Sequence, residues 1–331
     1  MSTHPDSREI TFAQAINEAL HEEMANDNSI ILMGEDVGRH GGVFKLTQGL
    51  YDEFGSTRVF DCPISEAGIL GLGVGAAMTG MRPIVEIMFG DFATLVMDQV
   101  ANQAAKVHYM SGGNMTAPLV VRTTMGAGRR MAAQHSQSLH AWFCHIPGLK
   151  VVLPSTPYDA KGLLKTAIRD DSPVIFFEDK MIYTEKGMVP NEEYTLPFGV
   201  ADVKRTGDDI TLIATSSMVS VALKAAERLA TEGISAEVID PRTLSPLDEK
   251  TPVDSAKKTS RCIVIDEGYS NFGVTAELAA LVSNKAFYYL DAPVERIGAM
   301  DVPVPFSPIL EDQTIPDVET VVQVARRLVI P

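Results

Sequence analysis

Short apolar runs recur along the first half of the chain, separated by stretches with helical spacing. No other feature constrains the fold as much. SIILMG ends at the acidic turn Glu35-Asp36; RVFD (58–61), PIVEIMF (83–89), PLVVRT (118–123), LKVVLP (149–154) and PVIFFED (173–179) follow. Several of these runs are apolar at consecutive positions, the pattern of strands covered on both faces. Covered strands that alternate with helices build a parallel α/β sheet. Thr11 is placed to cap a helix through FAQAINEALHEEMA, where Phe12, Ile16, Ala19, Leu20 and Met24 recur at helical spacing. DFATLVMDQVANQAAKVHYM (91–110) reads as one long helix with Asp91 near its start.

Residues 181–200 break the rhythm: they are polar, carry two Pro and two Gly, and read as a linker. The alternation then resumes with ITLIATS (210–216), a helix through 219–233 closed by Gly233, SAEVIDP, CIVIDEG and a helix through 274–286. The expectation is two doubly wound α/β domains, 1–190 with the linker at about 181–200, and 200–331. A length of 331 residues agrees with two domains of roughly 150 each.

Lys+Arg 28 against Asp+Glu 43 leaves a net charge of −15, which argues against nucleic acid or an anionic membrane and suits a basic protein partner. Cys62, Cys144 and Cys262 lie far apart with no C-x-x-C, which fits a reducing compartment. The N-terminal residues lack the apolar core of a secretory signal, and no run approaches the ~18 apolar residues of a membrane span. The expectation is a cytoplasmic protein.

Several motifs fail on chemistry. HEEMA (21–25) has Ala25 where a zinc protease needs its second His. His135, His140 and His145 would not converge on one metal from a helix. Gly71, Gly73 and Gly75 miss the dinucleotide fingerprint, because Ala76 stands at its third glycine and the preceding strand is too distant. Gly68, Gly71, Gly75 and Ala76 instead strip one helix face for close approach by another element. Two positions survive. Glu66, in DCPISEAGILG, is either a charge at a helix N-terminus or a functional group facing a cleft. A carboxylate partly out of water suits proton exchange with a weakly basic ring nitrogen. His135, in RMAAQHSQSLHAW, is either structural or a loop-borne proton donor. His108 reads as solvated or as a cap of the last helical turn.

DCPISEAGILGLGVGAAMTGMRPIVEIMF, DQVANQAAKVHYMSGG, AAQHSQSLHAWFCHIPGLKVVLPSTPYDAKGLL, AIRDDSPVIFFED and DAPVERIGAMDVPVPFSPILED together resemble, from about residue 9 to the end, the β subunits of thiamine-diphosphate-dependent dehydrogenases. These are the first components of 2-oxo acid dehydrogenase complexes (pyruvate or branched-chain) and the similar acetoin dehydrogenases. The resemblance implies a transketolase-like pyrimidine-binding domain followed by a transketolase C-terminal domain. It implies that Glu66 bonds N1′ of the cofactor's aminopyrimidine and that His135 serves proton transfer and reaction with the lipoyl group. It places Ile64, Met88 and Phe92 beside the pyrimidine. It also implies a potassium ion at Leu119, Ala167, Ile168, Asp170 and Ser172, where some members have Asn in place of Ser172.

The Gly-Asp-Gly motif that normally holds magnesium and diphosphate in such enzymes is missing from the sequence; Gly90-Asp91-Phe92 and Gly207-Asp208-Asp209 come nearest. The resemblance therefore implies a shared cofactor, with Mg2+ and the diphosphate held by an α subunit in an α2β2 heterotetramer. It further implies docking of a lipoyl acyltransferase on the C-terminal domain. The substrate, a 2-oxo acid or acetoin, stays open. A non-catalytic interaction subunit of the same fold is the alternative of another class.

Overall fold

The computed structural model describes residues 6–330. The chain separates into two compact units: the residues up to Met125 together with Trp142–Phe198, and Gly126–Ala141 together with the residues from Gly199 onward.

In the first unit the strands are β1 (Ser7–Thr11), β2 (Ile30–Gly34), β3 (Val59–Asp61), β4 (Arg82–Ile87), β5 (Val120–Met125), β6 (Lys150–Val152), β7 (Val174–Asp179) and β8 (Lys186–Pro190). β6-β7-β5-β4-β2-β3 are neighbours in that order, every pair parallel. Their burial along both faces is the reason for the unbroken apolar runs. The Thr11 side chain caps the helix Phe12–Asn26, in a reciprocal capping box with Gln14. That helix and Pro157–Arg169 bury Phe12, Ile16, Leu20, Leu163 and Leu164 against one face of the sheet. The helix Glu66–Met78 lies against the strands at Gly73, where a Cβ would stand 2.6 Å from Val85 Cγ2.

Two expectations on local structure need correction. Residues 91–110 are helical throughout, as expected, but the regular α ladder is broken: Gly90–Val96 is a 3₁₀ segment, Gln99–Ala104 a π-helical turn and Ala105–Met110 an α-helix. The break leaves no Pro or cap in the sequence; it re-phases the ladder so that Val96, Val100 and Ala104 are buried. Within 181–200, β8 pairs antiparallel with β1, so Arg8 faces Val189 and Ile10 faces Gly187. Polar residues are tolerated there because one face of this pair looks to solvent.

In the second unit the strands are β9 (Asp202–Arg205), β10 (Ile210–Ala214), β11 (Ala236–Asp240), the short β12 (Thr243–Ser245), β13 (Cys262–Tyr269) and β14 (Glu295–Ala299). The order β14-β13-β10-β11-β9 is parallel except for β9, which runs antiparallel to β11. Leu212 and Val238 point to the helices Met218–Ala230 and Val318–Val329, and Ile213 and Ile239 to Lys250–Thr259 and Val274–Lys285. Helices on both faces make this sheet doubly wound. Among the described residues no helix is long and apolar enough to cross a membrane.

Candidate active site

Open parallel sheets leave a crevice where the strand order reverses direction, at the carboxyl ends of the strands. In the first unit the chain leaves β2 for β3 on one side and returns to β4 on the other, so the crevice lies beyond Gly34 and Ile87. Glu35 follows β2 directly, and Glu66 opens the helix that follows β3. Ser65 makes no side-chain cap there, and the Glu66 side chain, 9% exposed, takes part in no hydrogen bond or ion pair among the described residues. One Glu35 oxygen is buried without a hydrogen-bond partner. Burial, and then the charges of Glu66 and Asp36, push the Glu35 carboxyl above the ordinary range. A dyad with a spare acceptor fits a ring nitrogen that can share a proton.

Ile64 lies two residues before Glu66 in the chain, and Met88 and Phe92 follow the carboxyl end of β4. Ile64 is 83% exposed, Met88 and Phe92 are half-buried, and Phe92 meets Phe89 edge-on at 5.7 Å. Gly90 lets this segment reach β5; a Cβ there would lie 2.5 Å from the Thr124 carbonyl oxygen. Beneath lies a buried charge cluster. Arg122 holds Glu178 through Nε (2.8 Å) and Glu86 through Nη1 (2.9 Å), and Tyr183 donates to Glu178 at 2.9 Å. Two acids share one guanidinium, and burial followed by the charge of Glu178 keeps the Glu86 carboxyl raised against the pull of Arg122.

His135 belongs to the second unit, half-buried on the loop Gly126–Ala141. That loop has positive φ at Gly126 (96°), Gly128 (93°), Arg130 (61°) and Ala132 (60°). Left-handed backbone at a non-glycine residue costs about 1–3 kcal/mol and persists only where its surroundings enforce it. Glu267 accepts from the Ala127 N–H at 2.6 Å. Glu311, fully buried, accepts from the N–H groups of Gly128 (2.7 Å) and Arg130 (3.2 Å) and from Arg130 Nη1 (2.8 Å). His140 Nε2 meets Asp266 at 3.1 Å. Burial opposes ionisation of Asp266, but His140 and hydrogen bonds from Thr215 and the Gly268 N–H outweigh it and hold the acid below its usual range. His108, outside this group, bonds the Met115 carbonyl oxygen at 3.1 Å.

Of the five positions expected to hold potassium, Leu119, Ala167, Ile168 and Asp170 already accept from protein donors, and Ser172 is one of those donors. Val174 N–H bonds Leu119 O (2.9 Å), Asp170 N–H bonds Ala167 O (3.3 Å), and Arg82 Nε bonds Ile168 O (2.8 Å). Arg82 also bonds the Asp170 carbonyl oxygen, and Lys150 is paired with the Asp170 carboxylate, whose other oxygen accepts from the Ser172 N–H at 2.8 Å. Two protein cations thus stand among these oxygens.

Sequence reasoning passed over Glu35, Asp266, Glu267 and Glu311. Glu35 could have been found as a second acid at the end of an apolar strand. Asp266 and Glu267 sit in CIVIDEG in the same way. Glu311 lies in a four-residue helical turn, and nothing in FSPILED marks it.

The model of the transketolase pyrimidine-binding domain matches residues 8–186, and that of the transketolase C-terminal domain matches 199–321. The chain is 52% identical to the β subunit of acetoin:2,6-dichlorophenolindophenol oxidoreductase of Bacillus subtilis, over 97% of this chain and 98% of that protein. It is 49% identical to the 2-oxoisovalerate dehydrogenase β subunit of the same organism, over 91% and 93%. Identity to the mitochondrial pyruvate dehydrogenase E1 component β subunit of Dictyostelium discoideum is 46%, over 97% and 92%. A solved split-gene transketolase, described as an inactive β4 tetramer, shares the fold at TM-score 0.77 and 21% identity, covering 97% and 98%.

Proposed function

We propose that this chain, which belongs to the transketolase-like family of dehydrogenase E1 β subunits, is the β subunit of a thiamine-diphosphate-dependent oxidoreductase that decarboxylates a small 2-oxo acid and passes the acyl unit to a lipoyl group. One observation carries the proposal: the Glu35 and Glu66 carboxylates, with a spare acceptor oxygen, in the strand-order crevice of a unit that matches a pyrimidine-binding domain. Thiamine diphosphate supplies, when bound, the carbon that attacks the substrate's carbonyl group and the sink for the electrons left by carbon dioxide. Glu66 holds a proton at N1′ of the aminopyrimidine, and Ile64, Met88 and Phe92 exclude water around the ring. His135 exchanges a proton with the reacting groups and the lipoyl acceptor.

The metal half of the cofactor falls to an α subunit in an α2β2 assembly, since the sequence has no Gly-Asp-Gly. The exposed face Gly68, Gly71, Leu72 and Gly75 of the helix Glu66–Met78 is the surface offered to that partner. The acyltransferase core docks on the second unit, drawn by the acidic charge, and the complex works in the cytoplasm, where the three free thiols stay reduced. A potassium ion at Leu119, Ala167, Ile168, Asp170 and Ser172 competes with Arg82 and Lys150, so replacing KCl by choline chloride is expected to change turnover by no more than about twofold, about 0.4 kcal/mol; a larger loss restores a strong ion site.

Calorimetric titration of thiamine diphosphate and Mg2+ tests the core of this reading. Tight binding and turnover are expected only with the α subunit present and are lost together in Glu66→Ala. Full activity of this chain alone overturns it. The 52% identity to the acetoin enzyme favours acetoin as a second substrate reading, against 49% and 46% for the 2-oxo acid enzymes. Rates of the reconstituted pair on acetoin, pyruvate and branched 2-oxo acids decide between them.

A further inference from the structure

The second sheet also has a strand-order crevice. The chain leaves β10 for β11 on one side and returns to β13 on the other, so the crevice lies at Thr215–Ser217 and Asp266–Glu267. A ligand is expected at such a place. Here the protein's own loop takes it. His140 meets Asp266, the Ala127 N–H meets Glu267, and Ser217 Oγ bonds the other Glu267 oxygen at 3.3 Å. Glu311, from a different segment, receives Gly128 and Arg130, and Asp312 holds Arg130 Nη1 at 2.6 Å.

Positive φ at Gly126, Gly128, Arg130 and Ala132 curls this segment so that the N–H groups of Gly128 and Arg130 converge on one carboxylate, a backbone nest that binds an anion. The anion in it is the Glu311 carboxylate. The nest ends three residues before His135, whose N–H closes a turn onto the Ala132 carbonyl oxygen at 3.3 Å. We infer that Glu311 is a positioning residue: its carboxylate fills the backbone nest 126–132 and thereby sets where His135 stands, with Asp266 and Glu267 anchoring the loop on either side. The second unit then serves the reaction by holding this loop. The inference deepens the proposed function and rests on His135 taking part in turnover.

The test uses the reconstituted α2β2 enzyme carrying His135→Ala, Glu311→Ala, Glu311→Gln or the double variant Glu311→Ala/His135→Ala. Turnover with the lipoyl acceptor, cofactor affinity and amide exchange at Gly128 and Arg130 are measured for each. Glu311→Ala should lower kcat at least tenfold with cofactor affinity unchanged within twofold, and speed exchange at both amides. Glu311→Gln keeps the volume and one acceptor, so it should recover part of the rate and covers a failure of the alanine variant to fold. The double variant should be no slower than His135→Ala alone, because two residues that act as a unit do not add. Two slow single variants whose losses multiply overturn the inference, as does a fast Glu311→Ala beside a slow His135→Ala. A fast His135→Ala overturns the role of His135, and the inference with it; amide exchange still shows whether the nest binds Glu311.

Discussion

Two sheets of the same doubly wound design meet their own crevices in opposite ways. In the first, Glu35 keeps an oxygen unpaired and Glu66 has no hydrogen-bonding partner among the described residues. In the second, Asp266, Glu267 and Glu311 are filled with donors from the loop Gly126–Ala141 and from Thr215 and Gly268. In these two crevices the satisfied acids mark a joint and the unsatisfied ones the candidate site. A buried acceptor left alone costs stability, and a protein retains it when something else is to fill it.

The comparison breaks most sharply in activity. Glu66→Gln in the reconstituted enzyme should lower kcat by about 10²–10⁴, the usual share of a positioned proton-transfer group, while the unfolding temperature stays near that of the parent. Steady-state kinetics beside calorimetry check both halves. A Glu66→Gln protein that turns over normally places the site elsewhere.

Asp266→Asn should act the other way, through stability. Removing one partner of a buried hydrogen-bonded pair costs about 3–5 kcal/mol. The Asp266 carboxyl titrates below its ordinary value when folded, so its contribution is present above pH ~4 and fades as pH falls through the lower folded value. Urea unfolding at pH 7 and at pH 3 should therefore show a wide gap between parent and variant that narrows in acid. A constant gap assigns the loss to packing alone.

The smallest expected effect is the most pointed. The Glu35 carboxyl is raised when folded, so its charged form is disfavoured by the fold, and stability drains away as pH rises through the raised value. Glu35→Gln should then unfold at a slightly higher temperature than the parent at pH 8 and at the same temperature at pH 4. Scanning calorimetry reads the difference; a destabilised variant at pH 8 makes Glu35 a joint like those of the second unit.

The sequence showed the covered strands plainly, because unbroken runs such as PVIFFED leave no polar face. Thr11 announced its helix through the capping pattern with Gln14. The π-helical turn at Gln99–Ala104 and the pairing of β1 with β8 were hidden, since one depends on ladder phase and the other on two segments some 180 residues apart in the chain. Glu66 and His135 stood out through local motifs. Glu311 did not, because its meaning comes wholly from 126–132, a segment far from it in sequence that carries the strained backbone.

That the Gly126–Ala141 stretch is encoded amid the first unit yet belongs with the second has a bearing on how such genes can be cut and recombined. A chimera joined at the obvious seam near residue 199 would inherit a carboxy-terminal half with Asp266, Glu267 and Glu311 from one parent and the loop donors Ala127, Gly128, Arg130 and His140 from the other. Exchange between relatives should succeed only when this short internal stretch travels with the tail.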